Sequence, residues 1–280
     1  MKSLPLNFAV LLTVVLVSLG PRHAKASHFI GLEGNPGLKS ASAMVIDSEG
    51  RLIYGKDVDT IRPIASVTKL MSAMVLLDSG VDLDEKITVT KKDRDLIQLT
   101  GSRLEYGASL SRKEMIILAI MASENRAATA LGRTFPGGMS AFVEAMNAKA
   151  KALGMKNSHF ADPAGLHVDN RSTASDLGKM VTAAYGYPLI REASTTTRKE
   201  VRPYRGRGPL VYGNTNRLLK NRNWDIAVSK TGYIMESGRC LVMQALIEGE
   251  SVFIVLLNSY GKLTPFGDSN RLRKWILENG

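Results

Sequence analysis

The chain has 280 residues, of which 44% are hydrophobic, and a formal net charge of +11. This length and composition suit one large domain or two closely joined lobes. The basic residues are dispersed, and neither zinc-ligand spacing nor an aromatic–basic RNA signature is present, which disfavours a nucleic-acid partner. Cys240 is the sole cysteine, so the chain cannot form an internal disulfide, and its apolar neighbours predict a buried strand thiol. The sequence contains neither H-E-x-x-H nor G-x-S-x-G, which disfavours a zinc peptidase and a Ser-His-Asp hydrolase.

Residues 1–26 are predicted to be an export signal that is removed after Ala26. Lys2 provides the positive start, residues 8–19 form a short apolar run, and Ala24 and Ala26 provide the small-x-small cleavage pattern. The run is shorter than the ~20 residues that a membrane-spanning helix needs, and no second run of that length follows it. We therefore expect a periplasmic protein without a stable transmembrane anchor, whose positive charge favours peripheral contact with an anionic wall or membrane surface.

The remaining chain is predicted to begin with a hairpin and to continue with a block of helices. Residues 43–47 and 51–55 flank a turn-forming cluster, which is typical of an antiparallel hairpin. A capping box between Ser111 and Glu114 predicts the start of an apolar helix that runs to residue 122. Stop signals at glycine or proline delimit three more predicted helices, at residues 66–78, 140–153 and 175–185.

From about residue 198 the pattern changes to strands and turns. Strands are predicted at residues 225–233, 239–247 and 251–258, and a final helix at residues 270–278 has one apolar face that we expect to pack on the sheet. The predicted fold class is therefore α+β, an antiparallel sheet flanked by helices. An all-helical region of about residues 66–190 is inserted between the sheet-forming parts, and the active site is expected in the cleft between them. We expect residues 27–280 to form one catalytic domain, with no additional C-terminal domain.

Ser66 and Lys69 form an S-x-x-K motif at a predicted helix start. Residues three apart lie on one helix face, so the lysine amine can reach the serine hydroxyl. A serine hydroxyl needs an adjacent base to attack at neutral pH, and a lysine serves only if its pKa falls by about three units from ~10.4. Burial and a neighbouring cation such as Lys230 can supply that shift. Ser259 and Lys262 form a second match in a loop, which we interpret as accidental.

Two further motifs contain groups that could serve the same chemistry. Ser123 and Asn125 follow an apolar helix as S-E-N, where the serine could relay a proton and the asparagine hold a substrate amide; a helix cap is the alternative interpretation. Lys230, Thr231 and Gly232 form K-T-G on a predicted strand. The lysine offers a cation for a substrate carboxylate, the threonine offers a hydroxyl, and the glycine lets a peptide backbone approach the strand.

The three motifs occur in the order that β-lactamases and penicillin-binding proteins share. The chain resembles the low-molecular-mass penicillin-binding proteins, the D-alanyl-D-alanine peptidases, over nearly its whole length after residue 26, including residues 162–166. Within that family it is most similar to the endopeptidases. The resemblance implies a β-lactamase/transpeptidase-like fold and a serine peptidase that cleaves peptidoglycan cross-links. It also implies attack by Ser66, proton transfer to Lys69 and an oxyanion held by the amides of Ser66 and Tyr233.

The resemblance further implies peptidoglycan peptide stems as substrate, β-lactams as covalent inhibitors, and no metal or organic cofactor. Three other functions stay open. A D-alanyl-D-alanine carboxypeptidase would use the same groups, although such enzymes usually carry a further C-terminal β domain. A β-lactamase is disfavoured because no glutamate between the second and third motifs lies in a Glu-x-x-x-Asn arrangement. A non-catalytic wall-binding protein is disfavoured because all three motifs are intact.

Overall fold

The computed structural model describes residues 27–280. The predicted export signal lies outside the described residues. Among the helices of residues 27–280, none combines the length and the apolar character that crossing a membrane requires.

The chain forms eleven strands and seven helices within the described residues. The strands are β1 (Ser42–Asp47), β2 (Leu52–Lys56), β3 (Arg62–Pro63), β4 (Lys86–Thr88), β5 (Ser109–Ser111), β6 (Arg171–Ser172), β7 (Arg198–Val201), β8 (Leu210–Gly213), β9 (Asp225–Ile234), β10 (Gly238–Ile247) and β11 (Glu250–Ser259). The helices are α1 (Thr68–Asp78), α2 (Arg112–Met121), α3 (Asn125–Arg133), α4 (Gly138–Ala152), α5 (Ala174–Tyr185), α6 (Pro188–Thr195) and α7 (Thr264–Asn279).

Five strands form one antiparallel sheet in the order β2-β1-β11-β10-β9. The predicted hairpin β1–β2 is therefore confirmed, and the strands predicted at residues 239–247 and 251–258 pair as β10 and β11. Strand β1 pairs with β11, so that both ends of the described chain build one sheet. Strand β9, which carries Lys230 to Gly232, lies at the edge of the sheet. Among residues 27–280, the outer edge of β9 has no strand partner, and Gly232 on this strand packs against the turn that precedes α1.

Each face of the sheet is covered by a separate hydrophobic core. Alternation along β11 sends Phe253, Val255 and Leu257 toward the helices and the intervening residues toward α7. The terminal helix packs on the sheet through buried Leu272, Trp275 and Ile276, as the sequence predicts. Its N-terminus at Thr264 lies six residues earlier than predicted.

The helices α1 to α6 lie in the chain between the two sheet-forming parts. Helix α1 is buried along nine successive residues and is surrounded by other helices, so it forms the centre of this region. The capping box between Ser111 and Glu114 is present at the start of α2. The region is not purely helical, since it contains the short pair β4–β5 and the strand β6, which pairs with β3 before α1.

Two helices were not predicted from the sequence. Helix α3 begins at Asn125, after only three connecting residues that follow the end of α2, with Glu124 as its N-cap. Helix α6 begins at Pro188, which the sequence analysis treats as a stop signal. Proline is also favoured in the first turn of a helix, where its missing N–H has no intrahelical acceptor.

Candidate active site

Ser66 lies in a 3₁₀ turn, Ala65–Val67, directly before α1. The sequence predicts a helix starting at Ser66, and the structure begins the α-helix two residues later. Ala65 has a φ of +47°, a left-handed conformation that costs a non-glycine residue about 1–2 kcal/mol. Two glycines pack against this turn: a Cβ on Gly165 would lie 1.9 Å from the Ala65 carbonyl oxygen, and one on Gly232 would lie 3.1 Å from the Ser66 amide nitrogen. The packing therefore restricts the position of Ser66.

Lys69 is 1% exposed, and its amine contacts three oxygen atoms. Its Nζ lies 2.7 Å from Ser66 Oγ, 2.7 Å from Asn125 Oδ1 and 2.5 Å from the Ala164 carbonyl oxygen. A neutral amine has two N–H donors and one lone pair. The two carbonyl oxygens can only accept, so each takes an N–H, and the lone pair is left for the Ser66 hydroxyl. Ser66 Oγ also lies 3.3 Å from the Ala164 carbonyl, a longer contact than the one to Lys69.

The burial of Lys69 favours the neutral form of its amine. Burial lowers the pKa of Lys69 from 10.5 to about 7, while Asp162, Glu124 and Asp95 act in the opposite direction. Burial and, second, the charge of Lys69 lower the pKa of Lys230 well below its ordinary value. The sequence analysis names burial and a neighbouring cation as possible causes of the Lys69 shift, and the structure makes burial the main one.

The prediction that Lys69 is the base for Ser66 implies a pH dependence of serine acylation. Below about pH 7 the amine carries a proton and cannot accept the one from Ser66. We expect the rate of acylation by a fluorescent penicillin to rise about tenfold per pH unit below pH 7 and to reach a plateau above it. Stopped-flow acylation rates between pH 5 and 9 measure this profile. A flat profile across pH 7 would contradict the assignment of Lys69 as base.

Ser123 lies in the three-residue connection between α2 and α3. Its φ of +58° is again left-handed, so this polar residue is held in a strained conformation beside the cleft. Its Oγ accepts a hydrogen bond from Lys230 Nζ at 2.9 Å. Asn125, the first residue of α3, bonds Lys69. Ser123 is thus placed beside one lysine and Asn125 beside the other.

Lys230, which is predicted to offer a cation for a substrate carboxylate, lies on β9. It is 1% exposed and does not line the cleft, and its amine bonds Ser123 and the carbonyl of Thr231 at 2.8 Å. Its position beneath the cleft surface suits it to holding Ser123. Thr231 does line the cleft, and its hydroxyl bonds that of Thr215 at 2.7 Å.

The motifs meet at a cleft of about 690 Å³. Six of the eight predicted site residues line it, namely Ser66, Ser123, Asn125, Thr231, Gly232 and Tyr233. The cleft wall also contains four cations and no carboxylate; these cations are Arg217, Lys220, Arg239 and Lys262. Among residues 27–280, none of the four forms an ion pair within 4.0 Å. This cationic wall could not be predicted from the sequence because its members come from three separate segments of the chain.

A loop around Asp162 supplies a contact that the motifs do not predict. The Asp162 carboxylate accepts the backbone N–H groups of Ala164, Gly165 and His167, each at 2.7 Å. The loop thereby presents the Ala164 carbonyl to Lys69. The sequence carries a signal for a tight turn here, Asp-Pro-Ala-Gly, but the partner of the turn is 95 residues away in the chain.

The structure also shows where three other residues lie, namely Cys240, Ser259 and Glu124. Cys240 is 1% exposed on β10, so the predicted buried strand thiol is confirmed. Ser259 is fully buried and bonds Ser40, so the second S-x-x-K match does not present its hydroxyl to the cleft. Glu124 is 8% exposed and caps α3 by accepting the Arg126 amide. Residues 27–280 contain no group of three or more His, Cys, Asp or Glu side chains placed to hold a metal ion.

The sequence and the fold both match known peptidases. A family model described as D-alanyl-D-alanine carboxypeptidase, peptidase family S11, matches residues 32–261. The chain belongs to this family. It is therefore a member of a serine peptidase family, as its three motifs predict.

Among the similar S11 relatives, three are named D-alanyl-D-alanine endopeptidase. The one from Pseudomonas aeruginosa is 45% identical over 88% of this chain and 80% of that protein, and the one from Escherichia coli is 45% identical over 86% and 78%. The crystal structure of the Streptomyces K15 DD-transpeptidase has a TM-score of 0.81 and 25% identity, and the match covers 88% of this chain and all of that one. The predicted fold class and family resemblance are confirmed.

Proposed function

We propose that this protein is a periplasmic D-alanyl-D-alanine endopeptidase that hydrolyses peptide cross-links of peptidoglycan through an acyl-enzyme on Ser66. The observation that carries the chemistry is the Lys69 amine, which lies 2.7 Å from Ser66 Oγ and has its other two contacts filled by carbonyl oxygens. The predicted export signal supports the location. The names of the relatives at 45% identity support the choice of reaction.

Acylation begins when Ser66 Oγ attacks the carbonyl carbon of the penultimate D-alanine while Lys69 takes the hydroxyl proton. The carbonyl oxygen becomes an oxyanion, which the backbone amides of Ser66 and Tyr233 would stabilise. The packing of Gly232 against the Ser66 amide supports this pair of donors, because it brings the strand end to the nucleophile. Loss of one such donor costs about 3 kcal/mol of barrier in other acyl-transfer enzymes.

Collapse of the tetrahedral intermediate breaks the peptide bond and requires a proton on the leaving amine. Ser123, whose hydroxyl accepts a hydrogen bond from Lys230 at 2.9 Å, passes to this amine the proton that Lys69 took from Ser66, which leaves Lys69 neutral again. Water then attacks the acyl-enzyme, with Lys69 again accepting a proton, and releases the second product. A β-lactam enters the same sequence and acylates Ser66.

The cationic wall of the cleft supports an anionic peptide as substrate. Peptidoglycan stems carry several carboxylates, and four unpaired cations in one cleft, with no carboxylate among its lining residues, attract such a ligand. Thr231 and Asn125 line the same cleft and offer hydrogen bonds to a peptide backbone and its terminal carboxylate. This arrangement is compatible with a cross-linked stem and with a single terminal D-alanine.

A carboxypeptidase is the second candidate because the matching family model carries that description. A relative named D-alanyl-D-alanine carboxypeptidase from Bacillus subtilis is 32% identical over 74% of this chain and 54% of that protein, a lower identity than that of the endopeptidases. The two activities share their chemistry and differ in the leaving group, which is a peptide stem in one case and free D-alanine in the other.

We expect purified protein to convert cross-linked muropeptide dimers to monomers while releasing little D-alanine from pentapeptide monomers. Mass spectrometry of both reactions measures the two activities side by side. The Ser66→Ala variant serves as the control and should convert neither substrate. Release of D-alanine with the dimers intact would replace the endopeptidase by the carboxypeptidase, and conversion of neither substrate would argue against both.

A further inference from the structure

A loop at the rim of the cleft, residues 95–100, is hydrogen-bonded to the S-x-N motif. Asp95 lies at the base of this loop and is 7% exposed. Its carboxylate accepts the Thr100 amide at 2.9 Å and the Thr100 hydroxyl at 2.6 Å. Thr100 Oγ1 in turn accepts Asn125 Nδ2 at 2.8 Å, and Asn125 Oδ1 accepts Lys69 Nζ. A continuous chain of hydrogen bonds therefore runs from Asp95 to Ser66.

The direction of each bond in this chain follows from the donors available. Burial raises the pKa of Asp95, but hydrogen bonds from Thr100 and backbone amides outweigh it and hold that pKa below its ordinary value. The carboxylate is therefore ionised at neutral pH and can only accept. Thr100 has one hydroxyl proton, which it donates to Asp95, so it can offer Asn125 only a lone pair. The amide group of Asn125 must then turn its NH₂ toward Thr100 and its oxygen toward Lys69.

We propose that Thr100, oriented by Asp95, is a positioning residue that fixes the Asn125 amide and thereby directs the lone pair of Lys69 at Ser66. The inference rests on the proposed acyl-enzyme chemistry and adds to it a group outside the three motifs. An asparagine amide is nearly symmetrical in shape, so packing alone selects its orientation poorly and the hydrogen-bond partners decide it. Here one partner, Lys69, can donate or accept once it is neutral. The other partner, Thr100, has its role fixed by a carboxylate.

Loss of the Thr100 hydroxyl removes this constraint. The Asn125 amide can then rotate and present its NH₂ to Lys69, where it occupies the lone pair that should accept the Ser66 proton. The rotated amide also withdraws an acceptor from the protonated amine, which makes the ammonium form less stable. The other charged groups that act on Lys69 stay in place: the carboxylates of Asp162, Glu124 and Asp95, and the amine of Lys230. The pKa of Lys69 should therefore fall.

Acylation by a fluorescent penicillin between pH 5 and 9 tests this role. We expect Thr100→Val to lower the acylation rate on the plateau of the pH profile about tenfold, which is the effect of losing one well-placed hydrogen bond. The part of the profile in which the rate rises with pH, its acid limb, should move to lower pH. Thr100→Ser, which keeps the hydroxyl, should restore both. Thr100→Ala should behave like Thr100→Val, which separates the missing hydroxyl from the added methyl group. Gln98→Met is the matched control, because Gln98 belongs to the same loop but bonds the Leu166 carbonyl instead.

The outcomes separate this inference from the proposed function. An acylation rate for Thr100→Val within twofold of the parent, with an unchanged acid limb, would overturn the positioning role alone. Equal losses in Thr100→Ser and Thr100→Val would also overturn it, since the hydroxyl would then not matter. A parent protein that forms no acyl-enzyme would overturn the proposed function and this inference with it. Thr100 is exposed, so the melting temperature of each variant should stay close to that of the parent.

Discussion

Replacing Lys69 by methionine is expected to slow acylation of Ser66 by a β-lactam at least 1,000-fold, within the range that removal of a general base produces in enzymes. The substitution keeps an unbranched chain of similar length in a site that is 1% exposed, and it removes the amine that lies 2.7 Å from Ser66 Oγ. The residual rate should also lose its dependence on pH near 7, since the group that titrates there is gone.

The stability of this variant should stay close to that of the parent, because removing the cost of burying an amine offsets the hydrogen bonds lost by Asn125 and the Ala164 carbonyl. Stopped-flow acylation rates, with a thermal melt of the same sample, measure both properties. Lys151→Met is the matched control, since Lys151 is exposed on α4 and remote in sequence from the motifs. An acylation rate for Lys69→Met within tenfold of the parent would exclude Lys69 as the base.

Replacing Gly165 by alanine is expected to destabilise the protein and to impair acylation together. The glycine has a φ of +75°, and an added Cβ would lie 1.9 Å from the Ala65 carbonyl oxygen, so backbone on one side must move. Movement of the loop would withdraw the Ala164 carbonyl from Lys69 and release the turn that holds Ser66. We expect the free energy of unfolding to fall by about 3 kcal/mol or more. In a domain of this size, this lowers the melting temperature by roughly 6–12 °C.

Gly154→Ala provides the matched control for this prediction. Gly154 has a φ of +70°, close to that of Gly165, but an added Cβ would contact nothing within 4 Å. The Gly154→Ala variant should therefore lose only about 1–2 kcal/mol of unfolding free energy, the conformational cost of a positive φ, and should be acylated at the parental rate. Equal melting temperatures and acylation rates in the two variants would show that the contact between Gly165 and Ala65 is unimportant.

Those parts of the site that depend on local spacing could be predicted from the sequence. Ser66 and Lys69 are one turn apart, so their contact follows from helical geometry wherever the helix packs. The capping box at Ser111 and the two hairpins are likewise local, since each is formed by residues close in sequence. The fold class followed from the order of these local elements and from the resemblance.

The remaining contacts of Lys69 could not be predicted because they join distant segments. The Ala164 carbonyl comes from a loop 95 residues away, and Asn125 comes from a helix start 56 residues away. The same limit applies to Lys230. A K-T-G motif indicates a strand-end cation, but only the packing of β9 against the helices shows that its amine is buried and bonded to Ser123. Burial is the largest cause of the lowered pKa of both lysines.

Peptide mapping of the penicillin-treated protein tests the central claim, that Ser66 is the acylated nucleophile. Tryptic cleavage at Lys56 and Lys69 gives residues 57–69, in which Ser66 is the single serine, while Ser123 falls in a separate peptide, residues 114–126. We predict that the mass of the opened β-lactam appears on the first peptide and that fragmentation places it on Ser66. An unmodified first peptide, or a label on Ser123, would contradict the mechanism.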